Sequence, residues 1–189
     1  AVAICRQLVS VYPSIPEYQA LLASSLKRMA ALQIEAGRLD EAEQSFRKAI
    51  SYEQSLVERF ASVSLYRVAY SQSLLGLADL ERERNRLPAS RQHLETAIRD
   101  LENYVSSTKD NFFHRRFLGA LYNSLSATLT LSGEKELAAE ARHKARAMGQ
   151  FGPPPTPRGF HWPPFWRRDP RGATDRMPAT RVENPQGPP

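Results

Sequence analysis

The chain has 189 residues, of which 41% are hydrophobic and 24% charged, with a formal net charge of +6. This balance belongs to a soluble globular chain with room for one domain, or one domain and a tail. The single cysteine, Cys5, excludes an intrachain disulfide and a cysteine-rich zinc site, and no apolar run approaches the ~18 residues of a membrane span.

In chain order, residues 2–11 form an apolar stretch with helical spacing, stopped by Pro13 and Pro16. Helices are predicted over 17–36 and 39–60, divided at Gly37, where a left-handed backbone ends one helix before the next begins. The same arrangement is predicted for 66–84 and 87–107 about Asn85, and for 113–132 and 134–149 about Gly133. Asp40 and Pro88 stand just past the turns, where a first helical turn favours negative charge and tolerates proline. Leu26, Met29 and Leu32 are expected to form one buried stripe. Cys5 is expected in a core or an interface between repeats, and the run Glu81 to Arg84 at an exposed helix end.

These helix pairs are copies of one another. Tyr18 to Leu26 aligns with Tyr66 to Leu74 at an offset of 48, and Phe46 to Ile50 aligns with Leu94 to Ile98. A third copy continues the columns: Leu26, Leu74 and Tyr122; Ala30, Ala78 and Ser126; Gly37, Asn85 and Gly133; Ala49, Ala97 and Ala145. Each unit is thus a helix A, a tight turn, a helix B and a short linker. The units are 17–64, 65–112 and 113–149, and 1–16 aligns with the second helix of a unit whose first helix is absent. A chain that opens partway through a unit is expected to be the C-terminal piece of a longer protein.

The run Ala30, Gly37, Ala42, Phe46 and Ala49, with Leu26 and Met29 before it, resembles the tetratricopeptide repeat (TPR). The family's usual unit is about 34 residues, so a 48-residue unit needs longer helices or linkers. Arg142 stands where Phe46 and Leu94 stand in the earlier units, which suits a terminal unit with nothing stacked after it. The longer unit, with linkers such as Leu8 to Tyr18, is similar to arrays at the C-terminal ends of large bacterial serine/threonine protein kinases, particularly from planctomycetes. That resemblance implies a kinase domain upstream and a regulatory or substrate-recruiting role for this segment. No glycine-rich phosphate loop, His-Arg-Asp catalytic loop or Asp-Phe-Gly triplet is present in the chain itself.

The TPR resemblance implies an all-α, right-handed solenoid of about three and a half helix pairs that binds a peptide or helix of a partner protein in a concave groove lined by A helices. The family's ligand-facing places fall on Ser24, Lys27, Ala31 and Ile34, on Gln72, Leu75, Asp79 and Arg82, and on Ala120, Asn123, Ala127 and Thr130. Some members grip a C-terminal carboxylate there. Lys27 and Arg82 suit that task, but Ala31 stands where the clamp carries asparagine. Self-association is a further expectation, because the unpaired first helix offers apolar surface. No catalytic residue, cofactor or metal site is expected. His93 and His143 read as solvated side chains on outer helices.

Composition changes at Gln150. Eleven of fourteen prolines lie beyond it, so 150–189 is expected to be a disordered tail. Six arginines against three acids place half of the excess charge there. No base-reading motif accompanies this charge, so nucleic acid is not the expected partner. Phe160, Trp162, Phe165 and Trp166, beside Arg167 and Arg168, form a candidate docking segment for the last repeat or for a partner. With neither a signal peptide nor a membrane span, the expected compartment is the cytoplasm.

Overall fold

The computed structural model describes residues 1–107 and 112–149. The proline-rich tail, with Phe160, Trp162, Phe165 and Trp166, lies outside the described residues. Among the described residues there are seven helices and no strand: α1 (Val2–Val11), α2 (Pro16–Glu35), α3 (Leu39–Arg59), α4 (Ser64–Glu83), α5 (Leu87–Ser107), α6 (Phe112–Leu131) and α7 (Lys135–Gly149). None is long and apolar enough to cross a membrane.

Local chemistry accounts for the boundaries. Pro16 opens α2 in its first turn, where its missing N–H costs nothing. Asp40 and Glu41 sit in the first turn of α3 and Arg59 in its last, each favourable to the helix dipole. The three A-to-B turns are the same structure repeated. Gly37, Asn85 and Gly133 all adopt positive φ, at 71°, 58° and 83°. The residue after each donates its N–H five residues back: Arg38 to Gln33 O at 2.8 Å, Arg86 to Glu81 O at 2.8 Å, and Glu134 to Leu129 O at 3.0 Å. This is the Schellman closure, which satisfies carbonyls that the helix end leaves bare.

A Cβ at Gly37 would meet nothing within 4 Å, so its cost would be backbone strain alone. Gly37→Ala is therefore expected to lose about 1–2 kcal/mol. Gly37→Asn should lose less, since Asn85 holds the same conformation in the next unit. Urea unfolding of the two variants checks the ranking.

The B-to-A linkers are also copies. Tyr12 N–H donates to Leu8 O at 2.8 Å and Phe60 N–H to Leu56 O at 2.9 Å. Tyr12 then packs on Tyr18, and Phe60 on Tyr66, with ring centroids 5.9 Å apart and planes tilted by 59° in both cases. Offset aromatic pairs of this kind favour one linker geometry over others. They fix the path of the four-residue linkers 12–15 and 60–63, while α2 and α3 are 20 and 21 residues long.

Packing follows the columns. Leu26, Leu74 and Tyr122 are buried, as are the small residues Ala30, Ala78 and Ser126, and Ala49, Ala97 and Ala145 on the B helices. Each A helix packs on the B helix that follows and on the B helix that precedes it. In addition α4 touches α2 and α6, whereas α3, α5 and α7 make no contact with one another. The A helices thus converge along one side of the array, and the B helices are splayed along the other. Ion pairs link successive turns: Arg84 lies 2.9 Å from Glu43, and Arg91 lies 2.7 Å from Glu134.

Four expectations from the sequence meet the structure here. Leu32 is not in the buried stripe; it is 62% exposed, whereas Leu80 and Thr128, one and two periods later, are 1% exposed. The column faces the preceding unit: Leu80 packs in one cluster with Phe46 of α3, whereas among the described residues only α1 precedes α2. Glu81 is not at an exposed helix end; it is buried and ion-paired with Arg86. Cys5 is in a core, packed with Leu22, Ala23, Leu26 and Ala49. Arg142 is exposed, in the column where Phe46 and Leu94 are buried.

Candidate functional site

The A helices carry the candidate ligand-facing residues, and their side chains fall into three groups. Ser24 on α2 and Asn123 and Thr130 on α6 are exposed. Gln72 is partly buried on α4, and Ile34 is partly buried against Ala30, Ala42 and Phe46. Leu75 is 0% exposed and offers no surface to a ligand, which corrects its assignment to the open face. The cause is the position of α4, which is covered by α3 and α5 and touched by α2 and α6.

The charged candidates are already engaged within the protein. Lys27 Nζ lies 2.9 Å from Glu53 Oε1 and donates to Ala69 O at 3.3 Å. The Glu53 side chain is 2% exposed, and its second oxygen accepts the Ser73 hydroxyl. Burial pushes the Glu53 carboxyl above the ordinary carboxylate range, against the opposing pull of Lys27 and the Ser73 hydroxyl. Lys27 thus spans α2, α3 and α4 from the inside. It is not a free cation of an open groove.

Arg82 is held similarly. It lies 2.7 Å from Asp79 Oδ1 and donates to Ser124 Oγ at 2.8 Å, while Ser124 donates to Asp79 Oδ1 at 2.9 Å. This triad ties α4 to α6 and brings Asp79 and Arg82 beside the neighbour of Asn123. Burial raises the Asp79 carboxyl above its usual range, again against its arginine. A ligand carboxylate would have to displace Glu53 from Lys27, or Asp79 from Arg82, before either cation could meet it.

The sequence columns contained a signal for this. Lys27, Leu75 and Asn123 are one column, and Cys5, Glu53 and Leu101 are another. The pair Lys27–Glu53 in the first unit therefore corresponds to Leu75 and Leu101 in the second, both 0% exposed. A hydrogen bond recurs with it: Ser73 to Glu53 is matched one period earlier by Ser25 Oγ and Cys5 Sγ, 3.5 Å apart. An apolar residue in the matching place of a neighbouring copy marks a packing position. Sequence reasoning had the column and assigned it to the surface.

With both cations neutralised, the A-helix face presents hydroxyls, amides and small residues. Among the candidate residues, Ser24, Asn123, Ala127 and Thr130 are the most open. Thr130 donates to Ser126 O at 2.7 Å, which leaves its hydroxyl oxygen turned along the helix with lone pairs to spare. No protein-family model matches the chain, and no curated protein matches it either. Of the two histidines expected to be solvated, His143 is exposed, whereas His93 is partly buried, and burial and Arg47 hold its pKa below the usual value.

Proposed function

We propose that this chain is a TPR-like scaffold for protein–protein interaction, with a peptide or helix of a partner lying across the A helices. The observation that carries this reading is the convergence of α2, α4 and α6 along one side while the B helices stay apart on the other. Stacked helix pairs of that kind form an extended inner surface to which several units contribute at once. The open residues Ser24, Asn123 and Thr130 are uncharged, and Lys27 and Arg82 are neutralised internally. The favoured ligand is therefore an uncharged polar segment read by hydrogen bonds to side chains, and its affinity should depend little on salt.

Photo-crosslinking tests this. A photoreactive residue at Ser24, Asn123 or Thr130 is expected to trap a partner that one at Lys48 or Arg99, exposed on the B helices, does not. Asn123→Arg should abolish that capture while leaving the melting temperature unchanged. Capture from Lys48 and Arg99 alone would place the interaction on the other side and overturn the reading.

A further inference from the structure

The two interfaces between units carry the same ion pair with its signs exchanged. Between the first unit and the second, Glu43 of α3 meets Arg84 at 2.9 Å and also pairs with Arg86. One period on, Arg91 of α5 meets Glu134 at 2.7 Å. Glu43 and Arg91 hold one column, and Arg86 and Glu134 hold another, so acid and base have changed places on both sides of the interface. A third column has followed them. Arg47, 2.9 Å from Glu43, gives way to Glu95, 2.6 Å from Arg91, so the pair along each B helix is reversed as well. On α7, which touches only α6 among the described residues, the same two places hold Ala139 and His143. The pair is thus carried by α3 and α5, each covered by the next unit, and not by α7.

These side chains are partly exposed, so the attraction within any one pair adds little to stability. The signs act more strongly on the alternatives. Units of one repeat share one geometry, so the B helix of any unit has the shape to meet the A helix of any other, and folding that starts in several units passes through such encounters. Stacking α3 against α6 would set Glu43 against Glu134. Stacking α5 of one copy against α4 of a second would set Arg91 against Arg84 and Arg86. We propose that the exchanged charges fix the order of stacking, so that each unit is accepted only by the one that follows it in the chain. This device is independent of the A-helix face proposed above and of what binds there.

The test erases the exchange without removing the pair. In the full chain, Arg91→Glu, Glu95→Arg and Glu134→Arg together give the second interface the signs of the first. Because each pair is kept, the midpoint of urea unfolding is expected to stay close to that of the parent. The readout is refolding by rapid dilution from urea at high protein concentration, followed by size-exclusion chromatography with light scattering. The fraction that fails to return to the original species is expected to rise about fivefold, since two like-charge encounters have become attractive. Gly133→Ala, which weakens the third unit through backbone strain and keeps every charge, is the control for lost stability. A failed fraction in the triple variant above those of both the parent and Gly133→Ala supports the proposal. A fraction no greater than that of either one overturns it.

Discussion

Lys27→Leu is expected to destabilise the chain by about 3 kcal/mol, because it leaves Glu53 buried without its cation. Lys27→Leu combined with Glu53→Leu is expected to be as stable as the parent or more so. The second unit is the reason for confidence in the pair: Leu75 and Leu101 occupy the same two columns, both fully buried. The parent pair has a 2%-exposed carboxylate and a 19%-exposed lysine, so each charge has given up most of its water. A well-packed leucine pair gives up nothing comparable and gains apolar burial. Urea unfolding followed by circular dichroism, with an unchanged m value, measures both variants.

The deficit of the single variant should also depend on pH, with a definite sign. Burial raises the Glu53 carboxyl, and the charge of Lys27 is the main influence opposing that rise. A carboxyl that is raised on folding binds its proton more tightly in the folded chain. Its contribution to stability is therefore present below the unfolded pKa, 4.5, and is lost as pH rises through the higher folded value. Removing Lys27 raises that value further. The deficit of Lys27→Leu should be largest at neutral and mildly alkaline pH, and it should shrink as pH falls toward 4.5. A deficit independent of pH between 5 and 8 would mean that lost packing, not the stranded carboxylate, is responsible.

What could be read from the sequence was whatever the repeat repeats. The column Gly37, Asn85 and Gly133 foretold three left-handed turns, and all three have positive φ. The columns of Leu26 and Ala30 foretold the buried seam, because one backbone geometry recurs and selects for size at each place. The side-chain pairings were harder, because they join different columns in different units. Arg82 with Ser124, and Arg84 with Glu43, couple residues 41 or 42 positions apart across an interface between units. No spacing rule for a single helix reports such pairs. The candidate surface suffered for the same reason. Lys27 looks free when α2 is taken singly, and only the stacking of α2 on α3 and α4 shows where its partner lies; Arg82 has Asp79 three residues before it on α4, and the stacking of α4 on α6 adds Ser124.

The second large effect is expected where two units meet at Phe46 and Gly76. Phe46 is 3% exposed and packs with Ala30, Ala42, Leu77 and Leu80, so its ring joins the first unit to the second. Phe46→Ala is expected to cost about 3–5 kcal/mol, the sum of lost transfer energy and the cavity left behind. The ring has room because residue 76 lacks a side chain: a methyl there would lie 2.6 Å from Phe46 Cε1 and 2.7 Å from Cζ. Glycine inside α4 costs about 1 kcal/mol of helix stability relative to alanine, and this contact explains why it is tolerated. Gly76→Ala should therefore lose about 1–2 kcal/mol in the parent, where overpacking outweighs the helical gain. In the Phe46→Ala background the obstruction is gone, and the same substitution should gain about 1 kcal/mol through propensity. The change of sign between backgrounds isolates the contact from both residues' other roles. Equal destabilisation by Gly76→Ala in the two backgrounds would show that something other than the Phe46 ring requires glycine there. Leu94 and Ser124 hold the same two columns one period on, again pairing a large side chain with a small one. The complement of large knob and small socket is therefore a device by which one unit is joined to the next, varied in chemistry and constant in volume.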